Sequence, residues 1–420
     1  MANNLSSNIT RPLAKIFLEA FESSRVVTKT VNTQLLSGKF NPSTGTKVDF
    51  KRPHDYNSIR SAGGDISGAD KSDIIAGKAT GTVQPYFTSA TEWSNIQEAL
   101  ELDQLDQILE PMARRLVTDL ELDLAKFMRI NTGLNYGARG TAVDAWSDVA
   151  GAGAMMDSVG VPMSDNKYYL MNPFTTTSLA SAQSGLNAAD GLVRTAFEKA
   201  QIASNFGGMK ALTSNALSSY TSGSTTDRSG DLKTAPDATY VTAKDTMQQT
   251  MVIETLGTGT IEAGDQIQIA GVNRLNIATR QLILDATGAA VPWTGTVLSV
   301  VTITGNEATV VVSGAAIFEA NGQYNNVDAA PAAGAVVTIL GAAATVYQPN
   351  LFYTEQAFGL GTVKLPKLYS TDTVATTSDG MSIRVSKYSD GDANTQKIRF
   401  DLLPAYACFN PNFAGQGYGV

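Results

Sequence analysis

The chain has 420 residues, of which 43% are apolar and 17% are charged, and its formal net charge is -8. This length predicts two or three domains, and the apolar fraction excludes a globally disordered chain because it can supply a full core. The acidic balance argues against extensive wrapping of nucleic acid, since neutralising phosphates requires an excess of Lys and Arg. A local basic patch remains compatible with these numbers.

Cysteine content and hydropathy exclude several further classes of protein. The single cysteine, Cys408, excludes an intramolecular disulfide framework and cysteine-based zinc fingers. Its neighbours are apolar, which indicates a small buried hydrophobe and not a reactive thiol. The N-terminus, MANNLSSNIT, lacks the basic end and apolar core of a signal peptide, and no apolar run reaches the length of about 18 residues that spans a membrane. We therefore expect a soluble protein made in a cytoplasm.

The first predicted element is a short amphipathic helix near the N-terminus. Thr10 is a candidate cap and Pro12 fits the first turn. Apolar residues then follow at helical spacing: Leu13, Ile16, Phe17, Ala20 and Phe21. The helix could dock on a neighbouring subunit or on its own, and the sequence leaves both open.

A long loop follows, between the strand-like runs Thr46–Phe50 and Thr82–Trp93. It reads KRPHDYNSIRSAGGDISGADKSDIIAGKATG and holds five glycines among alternating charges. Structureless loops longer than about 12–15 residues are uncommon inside a compact domain. This composition offers no means of burying the loop on itself, so we predict that it lies on a neighbouring subunit.

The next segment, Ile96–Ile130, has the spacing of a long amphipathic helix. Its apolar positions are Leu105, Leu109, Met112, Leu116, Leu120, Leu124 and Phe127. Pro111 either kinks one helix or begins a second one. Gly133 and Asn135 follow the predicted end, and such a helix could form the backbone of a flat, elongated subunit.

Beyond residue 140 the pattern changes twice. Between 140 and 215 helices alternate with a strand, and the predicted elements are Asp148–Val159, Lys167–Met171, Thr175–Gln183 and Ala188–Ile202. A polar linker, 221–236, precedes short strands with turn signals: Gln248–Leu256, Gln266–Ala270, Thr296–Thr304, Ala308–Val312 and Val336–Leu340. Such strands predict a small barrel or sandwich. The mixed pattern returns at Pro349, so we predict an α+β protein with an inserted β domain.

Residues that could support catalysis or bind a cofactor are scarce. His54 is the only histidine, and it lies in the long loop with no second ligand nearby in sequence. Gly359-Leu360-Gly361 lacks the third glycine of a dinucleotide fingerprint, so we interpret it as a turn. Asp390, Asp392 and Asn394 have calcium-loop spacing but lack its glycine and final glutamate, which favours a solvated hairpin. The sequence therefore predicts neither enzyme activity nor a cofactor or metal.

Several motifs resemble the major capsid (coat) proteins of short-tailed enterobacterial phages, the podoviruses. They occur in the same order: Lys51-Arg52-Pro53-His54, Gly64-Asp65-Ile66-Ser67-Gly68, Gly77-Lys78-Ala79-Thr80-Gly81, Val117-Thr118-Asp119-Leu120-Glu121, Asn205-Phe206-Gly207-Gly208, Ala263-Gly264-Asp265, Ala270-Gly271-Val272, Lys387-Tyr388, Asp390-Gly391-Asp392-Ala393-Asn394 and Arg399-Phe400-Asp401-Leu402-Leu403-Pro404-Ala405-Tyr406. The predicted β insert resembles the family less closely than the rest.

The resemblance implies the tailed-phage and herpesvirus capsid fold with an additional β-barrel domain. Its parts map onto 1–45 as N-terminal arm, 46–93 as extended loop with flanking strands, 94–139 as peripheral domain with the spine helix, 140–222 as first part of the axial domain, 223–346 as inserted β domain, and 347–420 as axial and peripheral return. It also implies assembly in the host bacterial cytoplasm. The implied product is an icosahedral procapsid and capsid of pentamers and hexamers. The implied partners are a scaffolding protein, a portal protein and packaged double-stranded DNA without sequence-specific binding, with no membrane partner.

The loop supplies the candidate subunit-interface residues. These are Lys51, Arg52, His54, Arg60, Asp65, Asp70, Lys71 and Lys78. Three alternatives remain: another virion component such as a tail or decoration protein, a surface-layer protein, and a carbohydrate-active enzyme with an accessory β domain. A surface-layer protein needs a secretion signal, a tail tube would be mostly β, and the enzyme needs carboxylates and aromatic rings converging on one pocket.

Overall fold

The fold is seen in a computed structural model that describes residues 18–41, 45–94, 105–184, 199–200, 202–369 and 372–420. The predicted cap and first turns of the N-terminal helix, Thr10–Phe17, and nearly all of the predicted helix Ala188–Ile202 lie outside these ranges. Residues 18–24 are helical, as that prediction requires at its C-terminal end. The other described α-helices are α1 (Leu105–Ile130), α2 (Trp146–Val159), α3 (Pro173–Ser184) and the single turn α4 (Tyr240–Ala243).

Most of the remaining structure is β. The strands are β1 (Lys47–Lys51), β2 (Lys78–Val83), β3 (Phe87–Ser94), β4 (Leu134–Tyr136), β5 (Lys167–Met171), β6 (Asn205–Phe206), β7 (Met209–Thr213), β8 (Tyr220–Thr221), β9 (Ser229–Leu232), β10 (Gln248–Glu254), β11 (Thr260–Ile261), β12 (Gln266–Asn273), β13 (Pro292–Val297), β14 (Val301–Thr302), β15 (Ala308–Ser313), β16 (Val336–Ile339), β17 (Val346–Tyr347), β18 (Asn350–Thr354), β19 (Phe358–Thr362), β20 (Thr373–Thr376), β21 (Ser382–Asp390), β22 (Thr395–Leu402), β23 (Pro404–Cys408) and β24 (Ala414–Gly417). We call residues 52–77, between β1 and β2, the extended loop.

The chain divides into two compact units, of which unit 1 comprises Met1–Asp49, Thr80–Ala125 and Phe358–Cys408. Unit 1 holds two four-stranded sheets, with strand orders β1-β2-β23-β19 and β20-β21-β22-β3. The turn between β21 and β22 is the predicted hairpin, and Asn394 adopts φ of 51°, which Asn tolerates in tight turns. In the described parts of the chain, no three His, Cys, Asp or Glu side chains gather as a metal site.

The long helix forms over Leu105–Ile130, as its apolar spacing predicts, and the rest of the predicted helix, residues 96–104, lies outside the described residues. Leu116, Leu120 and Leu124 recur every four residues and are almost completely buried. The helix continues through Pro111, so the proline does not begin a second helix. Glu121 is buried on the same helix and accepts hydrogen bonds from the backbone N–H and the hydroxyl of Thr28. Burial raises the pKa of Glu121, against the opposing effect of these hydrogen bonds.

One sequence interpretation was wrong in unit 1. Gly359-Leu360-Gly361 is not a turn, because it forms the middle of β19, which is buried throughout and pairs with β23. A Cβ atom on Gly361 would come within 2.5 Å of the Cβ of Leu36, so glycine here permits close packing.

Unit 2 comprises Phe50–Ala79, Lys126–Ala357 and Phe409–Val420, and contains a six-stranded sheet and a closed barrel. The sheet has the order β4-β24-β18-β5-β7-β6, and the strand predicted at Lys167–Met171 is its β5. Helix α2 packs its apolar face on this sheet, where Val149, Met156, Tyr169 and Phe352 belong to one buried cluster. The observed architecture confirms the predicted α+β class.

Four predicted alternating runs form the barrel strands β10, β12, β15 and β16, and the predicted run Thr296–Thr304 overlaps only the end of β13. The sixth strand, β9, lies in the segment 221–236, so the prediction of a linker there was wrong. The closed order of the barrel is β10-β15-β13-β12-β16-β9, and all its strand pairs are antiparallel. Trp293 lies at the centre of its core, fully buried, and its indole N–H donates to the carbonyl of Gly314 at 2.9 Å. The chain enters and leaves through the paired strands β8 and β17. We call residues 223–346 the barrel segment, and its independence as a domain stays a prediction.

Candidate assembly interface

The middle of the extended loop is exposed, as the sequence predicts. Every residue from 60 to 68 is exposed, and Cβ atoms placed on Gly63, Gly64 or Gly68 would meet no atom within 4 Å. Three large apolar side chains of the loop face solvent: Tyr56, Ile66 and Ile74 are 55%, 42% and 78% exposed. These three exposed side chains are the apolar part of an otherwise polar segment.

Four predicted interface residues lie on this exposed surface. Lys51, His54, Arg60 and Asp65 are all exposed. The imidazole of His54 lies 6.5 Å from the ring of Tyr56, measured between ring centres. The Asp65 carboxylate accepts a hydrogen bond from the backbone N–H of Ser67 at 2.9 Å, and this bond, with a side-chain bond from Ser67, lowers the pKa of Asp65.

Two more candidates, Asp70 and Lys71, are exposed and line a cavity of about 530 Å³. The loop forms one wall of this cavity and residues 319–323 of the barrel segment form the other. The structure therefore places these two charges beside the subunit's own barrel segment, which the sequence did not predict.

The last two candidates also face the same subunit. The Arg52 guanidinium donates from Nε to the carbonyl oxygens of Lys78 and Lys244, at 3.0 and 2.9 Å, and from Nη1 to that of Phe409. Lys78 adds to the effects that lower the pKa of Asp245, of which the largest is the hydrogen bond from Lys244. Arg52 thus fixes the start of the loop within its own chain. Whether any candidate touches another subunit stays a prediction.

Besides those of Arg52, polar contacts join both ends of the extended loop to the barrel segment. Arg280 forms an ion pair with Asp55 and donates to the carbonyl of Asn325 at 2.7 Å. The side-chain amide of Asn57 donates to the carbonyl of Asn321 at 2.8 Å, and that of Gln323 donates to the carbonyl of Asp73 at 2.5 Å. Burial lowers the pKa of Arg280, and Asp55 opposes this shift.

An apolar contact reinforces these bonds. Ile75 and Tyr324 pack on a buried cluster formed by Tyr240, Ala243, Met247, Ala315 and Ile317. The rings of Tyr240 and Tyr324 stack with 3.7 Å between their centres. An exposed ion pair contributes only about 0–1 kcal/mol, whereas burying an Ile side chain contributes about 1.5–3 kcal/mol when complete. The half-buried Ile75 is therefore expected to stabilise the contact at least as much as the Asp55–Arg280 pair.

Gly77 closes the loop at its second end. A Cβ atom here would lie 2.7 Å from the carbonyl oxygen of Lys244 and 3.0 Å from the hydroxyl of Tyr240. Only glycine permits this approach without displacing the backbone of the barrel segment.

The loop is thus only partly free of its own subunit. The middle of the loop is exposed, as predicted, whereas its two ends contact the barrel segment of the same chain, which the sequence did not predict. Sequence reasoning missed the covering residues because 319–325 follow no strand or helix periodicity. The one local signal is the polar run NGQYNN at 321–326, in which Asn321 adopts φ of 57°.

Comparison with known proteins finds similarity along the whole length of the chain. Residues 1–419 match the family model described as "P22 coat protein - gene protein 5". The chain belongs to the P22 coat protein family. A curated relative, the major capsid protein of Acyrthosiphon pisum secondary endosymbiont phage 1, is 48% identical over 424 residues and is covered, like this chain, to 100%.

The solved structures that are similar to this member of the P22 coat protein family are more distant in sequence. The capsid structure of cyanophage P-SCSP1u is 13% identical, with 93% of this chain and 86% of that chain covered and a TM-score of 0.45. Mycobacterium phage Che8 gives 11% identity, coverage of 94% and 89%, and a TM-score of 0.46. At these scores the structural likeness by itself carries no functional conclusion.

A second polar cluster lies where the barrel segment of this coat protein family member joins the rest of unit 2. Arg139 is buried, donates to the hydroxyl of Tyr220, and lies 3.7 Å from the carboxylate of Asp265. Arg228 approaches the same carboxylate at 3.9 Å, and Asp265 accepts hydrogen bonds from the backbone N–H groups of Gly223 and Glu262. One carboxylate thus faces two arginines, the buried side chain of Arg139 and the half-buried Arg228.

Arg274 supplies another buried link in unit 2. It is nearly inaccessible and donates to the carbonyls of Gly133 and Thr294 and to the side chain of Asn412. Burial lowers the pKa of this guanidinium. These bonds tie the barrel segment to the chain before and after it. Across the described residues, no helix is both long and apolar enough to cross a membrane.

Proposed function

We infer that this protein is the major capsid protein of a phage and that its activity is assembly with copies of itself. The observation that carries this is the family match over residues 1–419, together with a phage major capsid protein that is 48% identical over both full lengths. The predicted product is a closed icosahedral shell of pentamers and hexamers. A scaffolding protein and a portal protein are the predicted assembly partners, and double-stranded DNA the predicted cargo.

The exposed middle of the extended loop is the surface we assign to contact between copies. Ile66 in this middle part, and Tyr56 and Ile74 on either side of it, are exposed apolar residues in a segment rich in Lys, Arg and Asp. Each such contact is weak, but a closed shell repeats it in every subunit, so the geometry is fixed collectively. The loop would therefore contribute to assembly and little to the folding of one subunit.

The net charge of -8 fits this function. A shell that encloses DNA does not need to bind it tightly, and an acidic chain lacks the excess of cations that tight binding requires. We propose no enzymatic role, and we propose assembly in the host bacterial cytoplasm. A mostly β tail-tube subunit is disfavoured by the 26-residue helix α1.

Coexpression with the scaffolding protein of the same phage tests the proposal. Sedimentation and electron microscopy should show closed, fast-sedimenting shells. Because unassisted assembly can be aberrant, the chain alone is not the decisive sample. A chain that stays monomeric at high concentration with its scaffolding protein present would contradict the proposed function.

A further inference from the structure

The contacts at the two ends of the extended loop restrict its conformations in the free subunit. A loop that docks on another copy loses conformational freedom on binding, and this loss opposes association. Contacts that already hold the loop in the free subunit reduce that loss. The extended loop has such contacts at both ends, and almost all are made to the barrel segment.

The two ends of the extended loop, before and after its exposed middle, contact the same group of residues. The hydroxyl of Tyr324 lies 3.4 Å from the backbone N–H of Asp55 and 3.5 Å from the carbonyl oxygen of Ile75. Its ring stacks on Tyr240, whose hydroxyl faces Gly77. A shift of Tyr324 would therefore move both ends of the loop together.

The arrangement also separates two neighbouring side chains. Ile75 is half-buried and points into the cluster around Tyr240 and Tyr324, whereas Ile74 is 78% exposed. Successive residues of an extended chain point in opposite directions. The contact that holds Ile75 on the barrel segment thus presents Ile74 outward.

We propose that the barrel segment positions the extended loop for docking on a second copy of the chain, through Tyr240, Arg280 and residues 319–325. This inference rests on the proposed function. It assigns the barrel segment a role in aiming an assembly contact, so a change in the barrel segment would alter shell geometry without touching the docking surface itself.

Hydrogen exchange of the full-length, unassembled chain tests the contact. The backbone N–H groups of Arg52, Asp55 and Asn57 each donate a hydrogen bond that forms only while the loop is held in place. Their exchange rates therefore report on the opening of the loop. Ile75→Ser and Gly77→Ala should each speed their exchange by about tenfold, since the loop then opens more readily. Ile74→Ser and Gly68→Ala are matched controls in the same loop and should leave these rates unchanged.

The assembly arm uses the same variants with the scaffolding protein. Ile75→Ser and Gly77→Ala should give fewer or misshapen shells, while an unchanged circular dichroism spectrum verifies that each variant is folded. Equal exchange rates in the four variants and the wild type would overturn the contact. Normal shells from a variant with faster exchange would overturn the positioning role. A wild-type chain that forms no shells would instead contradict the proposed function, so the two failures are distinguishable.

Discussion

The guanidinium of Arg139 lies 5.8 Å from the ring centre of Tyr220 and donates a hydrogen bond to the hydroxyl of the same residue. The rings of Tyr347 and Tyr418 lie 5.8 and 5.7 Å away on other sides, so three tyrosines surround one buried cation. Aromatic faces stabilise a cation that has lost its water. Tyr220 and Tyr347 also lie opposite each other on β8 and β17, the paired strands through which the chain enters and leaves the barrel segment. Arg139 therefore stabilises the root of the barrel segment.

Replacing Arg139 should destabilise the protein strongly. Arg139→Met keeps the length of the side chain but leaves Arg228, at 3.9 Å, as the remaining described ion-pair partner of the buried Asp265 carboxylate. Breaking a buried pair from one side costs about 3–5 kcal/mol, and the remaining arginine favours the lower end of that range. Urea unfolding of the full chain, followed by circular dichroism, measures the shift in midpoint.

A surface pair provides the comparison for this measurement. Arg115 pairs with Asp119 one helical turn away, and its side chain is 73% exposed. Arg115→Met should cost no more than about 0.5 kcal/mol. Equal midpoints for the two variants would show that the Arg139 cluster contributes nothing beyond a surface pair.

Asp401 should make stability depend on pH in the acid range. It is a fully buried residue of β22, and its carboxylate accepts hydrogen bonds from Arg384 on β21, Thr88 on β3 and Arg399. Burial by itself would raise its pKa, but these bonds outweigh burial and hold the pKa of Asp401 below its ordinary value. Its stabilising contribution is therefore complete above its unfolded pKa of about 3.9 and is lost as pH falls through the folded value.

The Asp401→Asn variant isolates this contribution. At pH 7 it should be less stable than the wild type by about 3–5 kcal/mol, because Arg384 loses its buried partner. The difference should shrink below about pH 4, where the wild-type carboxylate also becomes neutral. Urea midpoints between pH 7 and pH 3 give this difference, with Asp119→Asn, in the surface pair with Arg115, as control. A gap that stays constant over the whole range would contradict the assignment.

The barrel segment should fold by itself. Residues 223–346 include all six barrel strands and the buried cluster around Trp293, which is the one tryptophan of the fragment. About 120 residues can bury enough surface for independent stability. The fragment should give a β-rich circular dichroism spectrum and a blue-shifted Trp293 emission that moves to the red cooperatively in urea.

The excised fragment should nevertheless unfold at lower urea concentration than the barrel in the full chain. Excision removes Arg139 and exposes Arg274, whose acceptors Gly133 and Asn412 lie outside the fragment. A disordered spectrum, with emission of a solvated tryptophan before urea is added, would show that the barrel depends on the rest of unit 2.

Two nested deletions in the extended loop separate assembly from folding. Replacing residues 62–70 with a short Gly-Ser turn removes only exposed or half-buried residues, so the melting temperature should hardly change, since loop closure depends weakly on length. Replacing 62–76 also removes the contacts of Asp73 and Ile75 with the barrel segment, and it should lower the melting temperature. Calorimetry compares the two.

Both deletions should abolish or deform shells made with the scaffolding protein. Normal shells from the shorter deletion would show that the exposed middle of the loop does not contact a neighbouring subunit. An unfolded subunit from that deletion would show that the middle of the loop is part of the fold.

The sequence by itself determined the elements whose pattern is local. Strand β5 occurs where Lys167–Met171 was predicted, and β10, β12 and β15 follow the predicted alternating runs, because side-chain alternation reports burial directly. Helix α1 follows from its four-residue spacing of leucines. The long motifs indicated the coat protein family, which the full-length family match confirms.

Only the tertiary structure decided what packs across large sequence distances. Gly359-Leu360-Gly361 has the composition of a turn, yet it is a buried strand that pairs with β23, and Leu36 approaches Gly361 too closely for any side chain. Arg139 finds its three tyrosines and Asp265 far along the chain, and no local pattern marks them as neighbours. The same holds for the extended loop. Its charges and glycines predict exposure, whereas the burial of Ile75 depends on Tyr240 and Tyr324, which only folding brings to it.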